Sequence, residues 1–360
     1  MKKSILLLLV GFSGFMNAQI PTGYYSQANG LTGFTLKSKL SEIVTNGHQN
    51  RGYNWTVFAT ADRDKYYEND NTVLDIYSEN PTGADPYNYT IVVNQCGSAN
   101  GPEGTCYNRE HTIPKSTFKP ASGNEETTPM HNDYHHLLAT DYDVNNKRGN
   151  FPYGEVGTAT WTSLNGSKLG SSKLNGYGGT VFEPINEFKG DIARIYLYFA
   201  TRYENQIQGF TYAMYDGTKT KVFAEPFLNM LLRWHQQDPV SQKEIDRNNA
   251  VYNYQRNRNP YIDHPEYIAE IWGTVMAVDD ASFSKNLTVA PNPVKGNTIT
   301  VTGDKDLKQF KKAFIYNTVG QNVQTIENPF QNGNTIVLKN LPKGVYILKT
   351  GELNTKFIVD

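Results

Sequence analysis

Cysteine is scarce in this sequence, which contains Cys96 and Cys106 among 360 residues. No Cys-x₂-Cys pair occurs, so a zinc site built on that motif is excluded. In an oxidising compartment the two thiols could form a disulfide, and in a reducing one they would stay free. The disulfide would close a short loop before residue 107 and contribute about 2–3 kcal/mol of stability in the chain-entropy model.

A long apolar run is missing beyond the N-terminus. Residues 1–18 start with Lys2 and Lys3, continue through an apolar stretch over residues 4–15 and end at Ala18. This order is typical of a secretory signal peptide, and the stretch is too short for a membrane-spanning helix. We therefore expect a signal peptide over residues 1–18, a secreted or cell-surface protein and no transmembrane segment.

Positive charge is not in excess either, because 34 Lys and Arg residues face 35 Asp and Glu residues. Residues 19–280 contain 22 basic and 30 acidic residues, whereas residues 281–360 contain ten and five. An acidic body is not the usual footprint of a nucleic-acid-binding surface, so phosphate contacts require a local patch. The cations available for one are Arg109, Lys115, Lys119, Lys147, Arg148, Lys189, Arg194 and Arg202.

The most informative stretch that is present covers residues 107–118 and places Glu110 next to His111. Its residue types favour a strand that Pro114 ends. Side chains alternate along a strand, so a bend is needed to bring both residues to one reaction centre. Histidine accepts a proton near neutral pH, and glutamate is an oxygen ligand suited to Mg²⁺ or Ca²⁺. A bent strand end would thus place a base beside a metal ligand.

Further segments accompany this stretch in order along the chain. They are residues 108–111 with Pro114 and Ser116, residues 133–137, Val144-Asn145 with Arg148 and Asn150, and the flanking residues 73–78, 189–194 and 201–203. Through them the sequence resembles the secreted endonuclease I family of His-Me finger (ββα-metal) nucleases, over roughly residues 50–272. The resemblance implies an α+β fold, a His-Me finger core with surrounding helices, and sequence-nonspecific hydrolysis of DNA and RNA that leaves 5′-phosphates.

The same resemblance implies a role for each matching residue. His111 is expected to be the general base that activates water. Glu110 and Asn145 are expected to bind a divalent cation, with Mg²⁺ favoured over Ca²⁺ or Mn²⁺, although Asn145 alone would be compatible with a helix cap. Arg148, one helical turn from Asn145, is expected near the scissile phosphate, with a solvated surface charge as the alternative.

Supporting roles are expected for several other residues. His135 and His136 would orient the metal-binding helix, or else be packed imidazoles with satisfied hydrogen bonds. The nucleic-acid backbone would contact Arg109, Lys115, Arg194 and Arg202. The last two could instead form ion pairs with Glu183 and Glu187.

Two other functions remain open at this point. His131 and His135 stand four residues apart, as zinc ligands on a helix do, but Asn132 occupies the position where that motif requires glutamate. A zinc hydrolase is therefore one alternative. A catalytically inert surface binding protein is the other, and the joint presence of Glu110, His111 and Asn145 speaks against it.

Hydrophobic spacing predicts helices over residues 35–45, 190–203 and 224–236, with two more beginning at Asp238-Pro239 and Asp263. Residues 73–77 and 89–93 have the composition of strands. The glycine-rich residues 154–179 predict short strands and turns over the cleft.

The C-terminal part differs in kind. Residues 277–285 predict a linker between a nuclease domain at 19–276 and a second domain at 286–360, where short strands separated by turns predict a small β-sandwich. Pro291-Asn292-Pro293, Gly344-Val345-Tyr346 and Lys356-Phe357 resemble the C-terminal sorting domain of type IX secretion substrates. That resemblance implies export through the periplasm by the type IX machinery, and an accessory carbohydrate-binding sandwich is the alternative. We expect a monomer.

Overall fold

The computed structural model describes residues 20–97, 101–118, 126, 128–278, 287–303, 306–317, 322–351 and 353–360. The predicted signal peptide, Lys119 and most of the predicted linker lie outside these residues. Nowhere in the described ranges does a helix combine the length and apolarity needed to cross a membrane.

The described chain contains helices and strands in both halves. The helices are α1 (Gly33–Thr45), α2 (Phe58–Ala61), α3 (Tyr142–Arg148), α4 (Lys189–Arg202), α5 (Glu204–Ile207), α6 (Glu225–Gln237), α7 (Gln242–Gln255), α8 (Pro260–Asp263) and α9 (Glu266–Val278). The strands are β1 (Tyr107–His111), β2 (Leu137–Asp141), β3 (Val156–Thr162), β4 (Lys168–Ser172), β5 (Thr180–Glu183), β6 (Leu287–Ala290), β7 (Thr298–Gly303), β8 (Lys312–Asn317), β9 (Asn322–Glu327), β10 (Thr335–Val337), β11 (Gly344–Thr350) and β12 (Leu353–Val359).

Helix α4 is the centre of the larger core. Its side chains are buried on nearly every side, from Ile192 to Arg202, as expected for a helix that other elements surround. Helices α1, α6 and α8 pack against it. Gly190 in its first turn is required by this packing, because a Cβ there would lie 2.0 Å from the carbonyl oxygen of Asp238.

The three helices predicted from hydrophobic spacing are confirmed as α1, α4 and α6. The start predicted at Asp238-Pro239 is wrong, because α7 begins after Ser241. The Ser241 hydroxyl accepts the backbone N–H of Glu244, and the Glu244 carboxylate accepts the N–H of Ser241. Such reciprocal capping satisfies two donors that a helix start otherwise leaves open.

The strands predicted over residues 73–77 and 89–93 are not formed. Val73 makes one bridge to Arg63 and a backbone hydrogen bond to Tyr89, and the chain then turns. The turn is set by Asp75, whose carboxylate accepts the backbone N–H of Tyr77 at 2.9 Å. The glycine-rich segment does form short strands, β3 and β4, which join β5 directly after the segment in an antiparallel three-stranded sheet.

The C-terminal region consists of two antiparallel sheets with strand orders β10-β7-β6 and β12-β11-β8-β9. Side chains alternate along β7, with Ile299 and Val301 buried between exposed threonines. They join buried residues of the other sheet, including Ile315, Leu348 and Phe357, in one core. Two sheets that share a core in this way have the arrangement of the small β-sandwich predicted from the sequence.

Candidate active site

Strands β1 and β2 and helix α3 form the frame of the site. The strands pair antiparallel, with Glu110 opposite Leu138 and His111 opposite Leu137. Helix α3 follows β2 directly, and the Asp141 carboxylate accepts the N–H of Val144 at 2.8 Å as its cap. The chain therefore turns sharply from strand to helix, and α3 packs against both strands.

Glu110 is almost fully buried, with 2% of its side chain exposed. Oε1 accepts hydrogen bonds from Arg148 Nη1 at 2.8 Å, Tyr77 OH at 3.3 Å and Tyr153 OH at 3.5 Å. Burial raises the pKa of Glu110 to about 7, while Arg148 acts in the opposite direction. Within the described chain no hydrogen bond reaches Oε2, so one carboxylate oxygen remains available to a ligand.

His111 is held in one orientation by its surroundings. Nε2 lies 3.0 Å from the carbonyl oxygen of His131, and a carbonyl can only accept, so Nε2 carries the proton. The ring stacks on Tyr53 with 5.5 Å between centroids. Burial, and secondly the nearby His136, lower the pKa of His111 well below its usual range. The imidazole is therefore neutral at neutral pH, with Nδ1 as its unprotonated nitrogen.

Asn145 lies on α3 and is half-buried. Its Nδ2 donates to the carbonyl oxygen of Arg109, the residue before Glu110, at 3.4 Å. This contact brings the Asn145 side chain beside β1 at the level of Glu110. The structure therefore places the two predicted metal ligands on adjacent elements, α3 and β1.

Arg148 is not the solvated charge considered above, since its side chain is 1% exposed. Besides Glu110 it binds the backbone: Nη1 donates to the His111 carbonyl at 2.9 Å and Nη2 to the Thr112 carbonyl at 2.5 Å. These contacts correct the prediction that Arg148 lies against the scissile phosphate. Both terminal nitrogens of the guanidinium donate to protein acceptors and fix the end of β1, so Arg148 positions Glu110 and His111.

Arg109 and Lys115 differ in how accessible they are. Lys115 is exposed, directly after Pro114. Arg109 is half-buried, donates from Nη1 to the Tyr53 carbonyl at 3.0 Å, and lies over the rings of Tyr53 and Trp55 at 3.6 and 4.4 Å. Both remain at the rim of the site, and Tyr53 connects Arg109 to His111.

Arg194 and Arg202 do not reach the surface, so their assignment to nucleic-acid contact is wrong. Arg194 is 0% exposed and pairs with Glu244, with 2.8 Å between Nη2 and Oε2. Arg202 is 3% exposed, and its Nε lies 3.2 Å from Asp133 Oδ2. The alternative prediction, that both arginines form ion pairs, is confirmed. Their partners are not Glu183 and Glu187, which bind Lys189 and Tyr67.

The neighbouring histidines are tied to backbone carbonyls. His135 Nε2 lies 3.0 Å from the Asn257 carbonyl and His136 Nε2 lies 2.6 Å from the Met130 carbonyl. Burial lowers the pKa of His135 to about 3 and that of His136 to about 4. These hydrogen bonds go to the segment after α7 and to a short 3-10 helix rather than to α3, as expected for packed imidazoles. His136 Nδ1 nevertheless has no partner in the described chain, and its ring lies 5.7 Å from that of His111.

The zinc alternative depends on His131 and His135 sharing a helix. They do not, because His131 belongs to a short 3-10 helix (Pro129–Asn132) and His135 lies in the turn after it. His131 Nδ1 lies 3.1 Å from its neighbour Asn132. The spacing of four residues therefore does not produce the geometry that the zinc motif requires.

Cys96 and Cys106 are joined in a disulfide, with 5.1 Å between their Cα atoms. Cys106 immediately precedes β1. The backbone N–H of Cys96 also donates to the Tyr107 carbonyl at 3.0 Å, and the N–H of Tyr107 donates to the Asn94 carbonyl. The disulfide and these two backbone hydrogen bonds together attach residues 94–96 to the start of the strand that ends in Glu110 and His111.

Several tyrosines of the site were missed by the sequence analysis. Tyr77 and Tyr153 bind Glu110, their hydroxyl groups lie 2.6 Å apart, and Tyr53 stacks on His111. Tyr77 lies within residues 73–78, one of the matching segments, so a signal for it existed. With 24 tyrosines in the chain, nothing in the sequence distinguishes Tyr53 or Tyr153.

Comparison with known proteins agrees with this geometry. The family model described as Endonuclease I matches residues 32–266. The chain is 36% identical over 256 residues to an extracellular ribonuclease of Bacillus amyloliquefaciens, and 33% identical over 260 residues to the extracellular ribonuclease of Bacillus subtilis (strain 168); each alignment covers 69% of this chain and 78% of the relative. Endonuclease-1 of Buchnera aphidicola subsp. Baizongia pistaciae is 28% identical over 130 residues, 36% of this chain and 45% of the relative.

A second family model, the secretion system C-terminal sorting domain, matches residues 288–360, the region that forms the two C-terminal sheets. The expectation of a type IX sorting domain is therefore confirmed, and the protein is secreted. Because the first model covers well over half of the chain and includes every residue of the site described above, the chain is a nuclease of the Endonuclease I family.

Proposed function

We propose that the chain is a metal-dependent endonuclease that hydrolyses both DNA and RNA with little sequence preference and leaves 5′-phosphates. One observation carries the proposal. Consecutive residues at the end of β1 present a neutral imidazole with an unprotonated Nδ1 and a carboxylate with an uncommitted Oε2. A base and an oxygen ligand next to each other are what metal-assisted hydrolysis of a phosphodiester requires.

The donors around Glu110 fit a divalent cation. Oε1 is engaged by Arg148, Tyr77 and Tyr153, which fixes the carboxylate and leaves Oε2 for an ion. Asn145 uses its Nδ2 for the Arg109 carbonyl, which leaves the amide oxygen. A carboxylate and an amide oxygen are hard ligands of the kind Mg²⁺, Mn²⁺ and Ca²⁺ prefer, and Mg²⁺ is the cation we favour. When bound, the cation supplies positive charge that stabilises the phosphate in the transition state.

His111 removes a proton from the attacking water through Nδ1. Its Nε2–H remains bonded to the His131 carbonyl, which holds the tautomer and stabilises the ring when it becomes protonated. The low pKa keeps the ring in its basic form before reaction. Attack in line with the 3′-oxygen breaks the P–O3′ bond and leaves the phosphate on the 5′ side.

The rim of the site offers binding without base recognition. Lys115 is exposed and Arg109 is half-buried above two aromatic rings. Cations of this kind bind phosphates, which carry no sequence information. Two relatives are named extracellular ribonucleases and a third is named Endonuclease-1, which supports endonuclease activity, and RNA as one substrate, in this chain.

The proposal is tested with supercoiled plasmid and with single-stranded RNA, each incubated with the purified protein in Mg²⁺ and in excess EDTA. We expect nicking and then linearisation of the plasmid, degradation of the RNA, and neither reaction in EDTA. Mass spectrometry of short products should find 5′-phosphate and 3′-hydroxyl ends. Full activity in EDTA, or products with 3′-phosphates, would contradict the proposal.

A further inference from the structure

Three carboxylates that have no role in the proposed active site lie close together. Glu68 lies in the loop before Val73, and Glu79 and Asp85 lie in the segment after it. One oxygen atom from each carboxylate lies within 4.8 Å of the other two. Negative charges this close repel one another, so the arrangement requires a neutralising partner.

Glu79 shows that the partner is missing from the protein itself. Its side chain is 1% exposed, and Oε1 has no hydrogen-bond partner in the described chain. Glu68 has no ion pair there either and is exposed, whereas Asp85 is half-buried. A buried carboxylate oxygen without a partner is costly. Glu79 therefore brings to the three-carboxylate cluster a buried side chain whose Oε1 is free to bind a cation.

The backbone around these residues is fixed by hydrogen bonds. Asp64 accepts the N–H groups of Tyr66 and Asn69, both at 2.9 Å, which shapes the loop that carries Glu68. Asp85 Oδ1 accepts the N–H of Asn80 at 2.6 Å. The carboxylates are therefore held by two loops that are already ordered, and binding an ion does not have to order them first.

We propose that Glu68, Glu79 and Asp85 bind a calcium ion, at a site distinct from the one at Glu110 and Asn145. All the donors are carboxylate oxygens, and the exposed side at Glu68 leaves room for water ligands. Ca²⁺ accepts such irregular sets of six to eight oxygens, whereas Mg²⁺ requires a nearly octahedral arrangement. The ion would link the two loops and stabilise the segment that contains Tyr77, which binds Glu110.

A proton is the competing occupant of Glu79. In the absence of a cation, burial and secondly the neighbouring Asp85 raise the pKa of Glu79 to about 9. A protonated Glu79 would relieve the repulsion without any metal. The two explanations differ in one measurable respect, which is whether the protein binds calcium at this place.

The test uses the chain carrying Asn145→Ala, so that binding at the proposed catalytic site is weakened in every sample. Chelator-treated protein is titrated with CaCl₂ in a calorimeter at pH 8, alone and with Glu79→Gln or Glu68→Gln added. We expect one Ca²⁺ per chain with a Kd of about 10⁻⁴–10⁻³ M, the range of extracellular modules, and binding at least about tenfold weaker in both double variants. Glu68 is exposed, so its substitution separates loss of the ligand from loss of the fold.

Thermal denaturation provides the second readout. Calcium should raise the Tm of the Asn145→Ala protein and have little effect on either double variant. Equal calcium affinity in the single and double variants would overturn the proposal, as would an absence of binding at roughly 10 mM CaCl₂, well above that Kd range. Because no step measures hydrolysis, the outcome is independent of whether the proposed nuclease mechanism is correct.

Discussion

Arg148 Nη1 lies 2.8 Å from Glu110 Oε1, and both side chains are buried. The pair is surrounded by the hydroxyl groups of Tyr77, Tyr153 and Tyr196. Because Arg148 also binds two carbonyls beyond Glu110, it connects helix α3 to the end of strand β1. The arginine thus holds the carboxylate while leaving its other oxygen uncommitted.

Replacing Arg148 with methionine should therefore destabilise the fold and disable the site. The change leaves Glu110 buried without its counter-charge, which typically costs about 3–5 kcal/mol. Urea denaturation should show this decrease in the free energy of unfolding. The exposed neighbour Lys147 provides the control, because Lys147→Met should unfold at the parental urea concentration. Equal stability of the two variants would contradict the role assigned to the pair.

His111→Ala should remove hydrolysis and leave the fold intact. Loss of a general base typically reduces the rate by about 10²–10⁴-fold. Plasmid nicking measures the rate, and circular dichroism with filter binding of DNA checks folding and affinity. His264→Ala is the control, because His264 pairs with exposed Glu266 outside the site. A His111→Ala protein that nicks plasmid at the parental rate would refute the assignment.

The activity should also depend on pH through Glu110. Burial raises the pKa of this carboxyl to about 7, and a divalent cation binds only the ionised form. Proton and cation therefore compete: the apparent cation affinity should fall about tenfold per pH unit below the pKa and level off above it. In pH profiles measured at low and high Mg²⁺, the acidic limb should lie at lower pH when Mg²⁺ is high. An acidic limb that does not move with Mg²⁺ would argue against Glu110 as the ligand.

Arg202→Met should affect stability rather than nucleic-acid binding. In the folded protein burial opposes the ionisation of Asp133, but Arg202 prevails and holds the pKa of this carboxyl well below its usual range. A lowered folded-state pKa contributes stability above the unfolded pKa, and the contribution is lost as the pH falls below about 4. The variant should be less stable at pH 7 and lose less additional stability on acidification.

The matched comparison for that variant is Lys115→Met at the exposed rim. This change should leave the unfolding free energy unchanged, weaken DNA binding and reduce the salt dependence of binding by about one phosphate contact. If the Arg202→Met protein folded normally but its DNA binding depended differently on salt, Arg202 would contact nucleic acid and its assignment to a buried ion pair would be wrong.

Secondary structure could be predicted from the sequence where the hydrophobic periodicity is strong. The prediction failed where the conformation depends on side-chain contacts. Helices α1 and α4 follow from apolar spacing, and the strand carrying Glu110 and His111 follows from composition and Pro114. The strand predicted at residues 73–77 fails because Asp75 accepts local N–H groups and turns the chain. Its apolar side chains pack individually, as Tyr77 does against Phe182.

Side-chain roles show the same limit. Arg194 lies in a matching segment, and its partner Glu244 is 50 residues away in the sequence. Composition cannot reveal whether such a cation meets a carboxylate or a phosphate. For Arg148 the motif predicted the correct neighbourhood, but the direction of its guanidinium follows from the packing of α3 on β1. Burial therefore separates the cations that hold the site from those that remain at its rim.

The C-terminal domain should take no part in hydrolysis. Residues 281–360 carry ten basic residues against five acidic ones, an excess that could suggest binding of nucleic acid. All ten are lysines, however, and arginine is the residue favoured for bidentate contacts with phosphate. Every residue placed in the site precedes Gly149 or, in the case of Tyr153 and Tyr196, belongs to the larger core. The two C-terminal sheets also have a separate core of their own.

A chain of residues 19–280 should therefore retain most of its hydrolysis rate, with a modest decrease in association rate at low salt. In cells, deletion of residues 281–360 should leave the protein in the periplasm, because that segment matches the sorting domain. Fractionation followed by plasmid nicking measures both outcomes. A truncated protein that is folded by circular dichroism but slower by orders of magnitude would instead make the sandwich a substrate-binding module. Restoration of the rate by adding residues 281–360 as a separate polypeptide would then identify the sandwich as the missing binding surface.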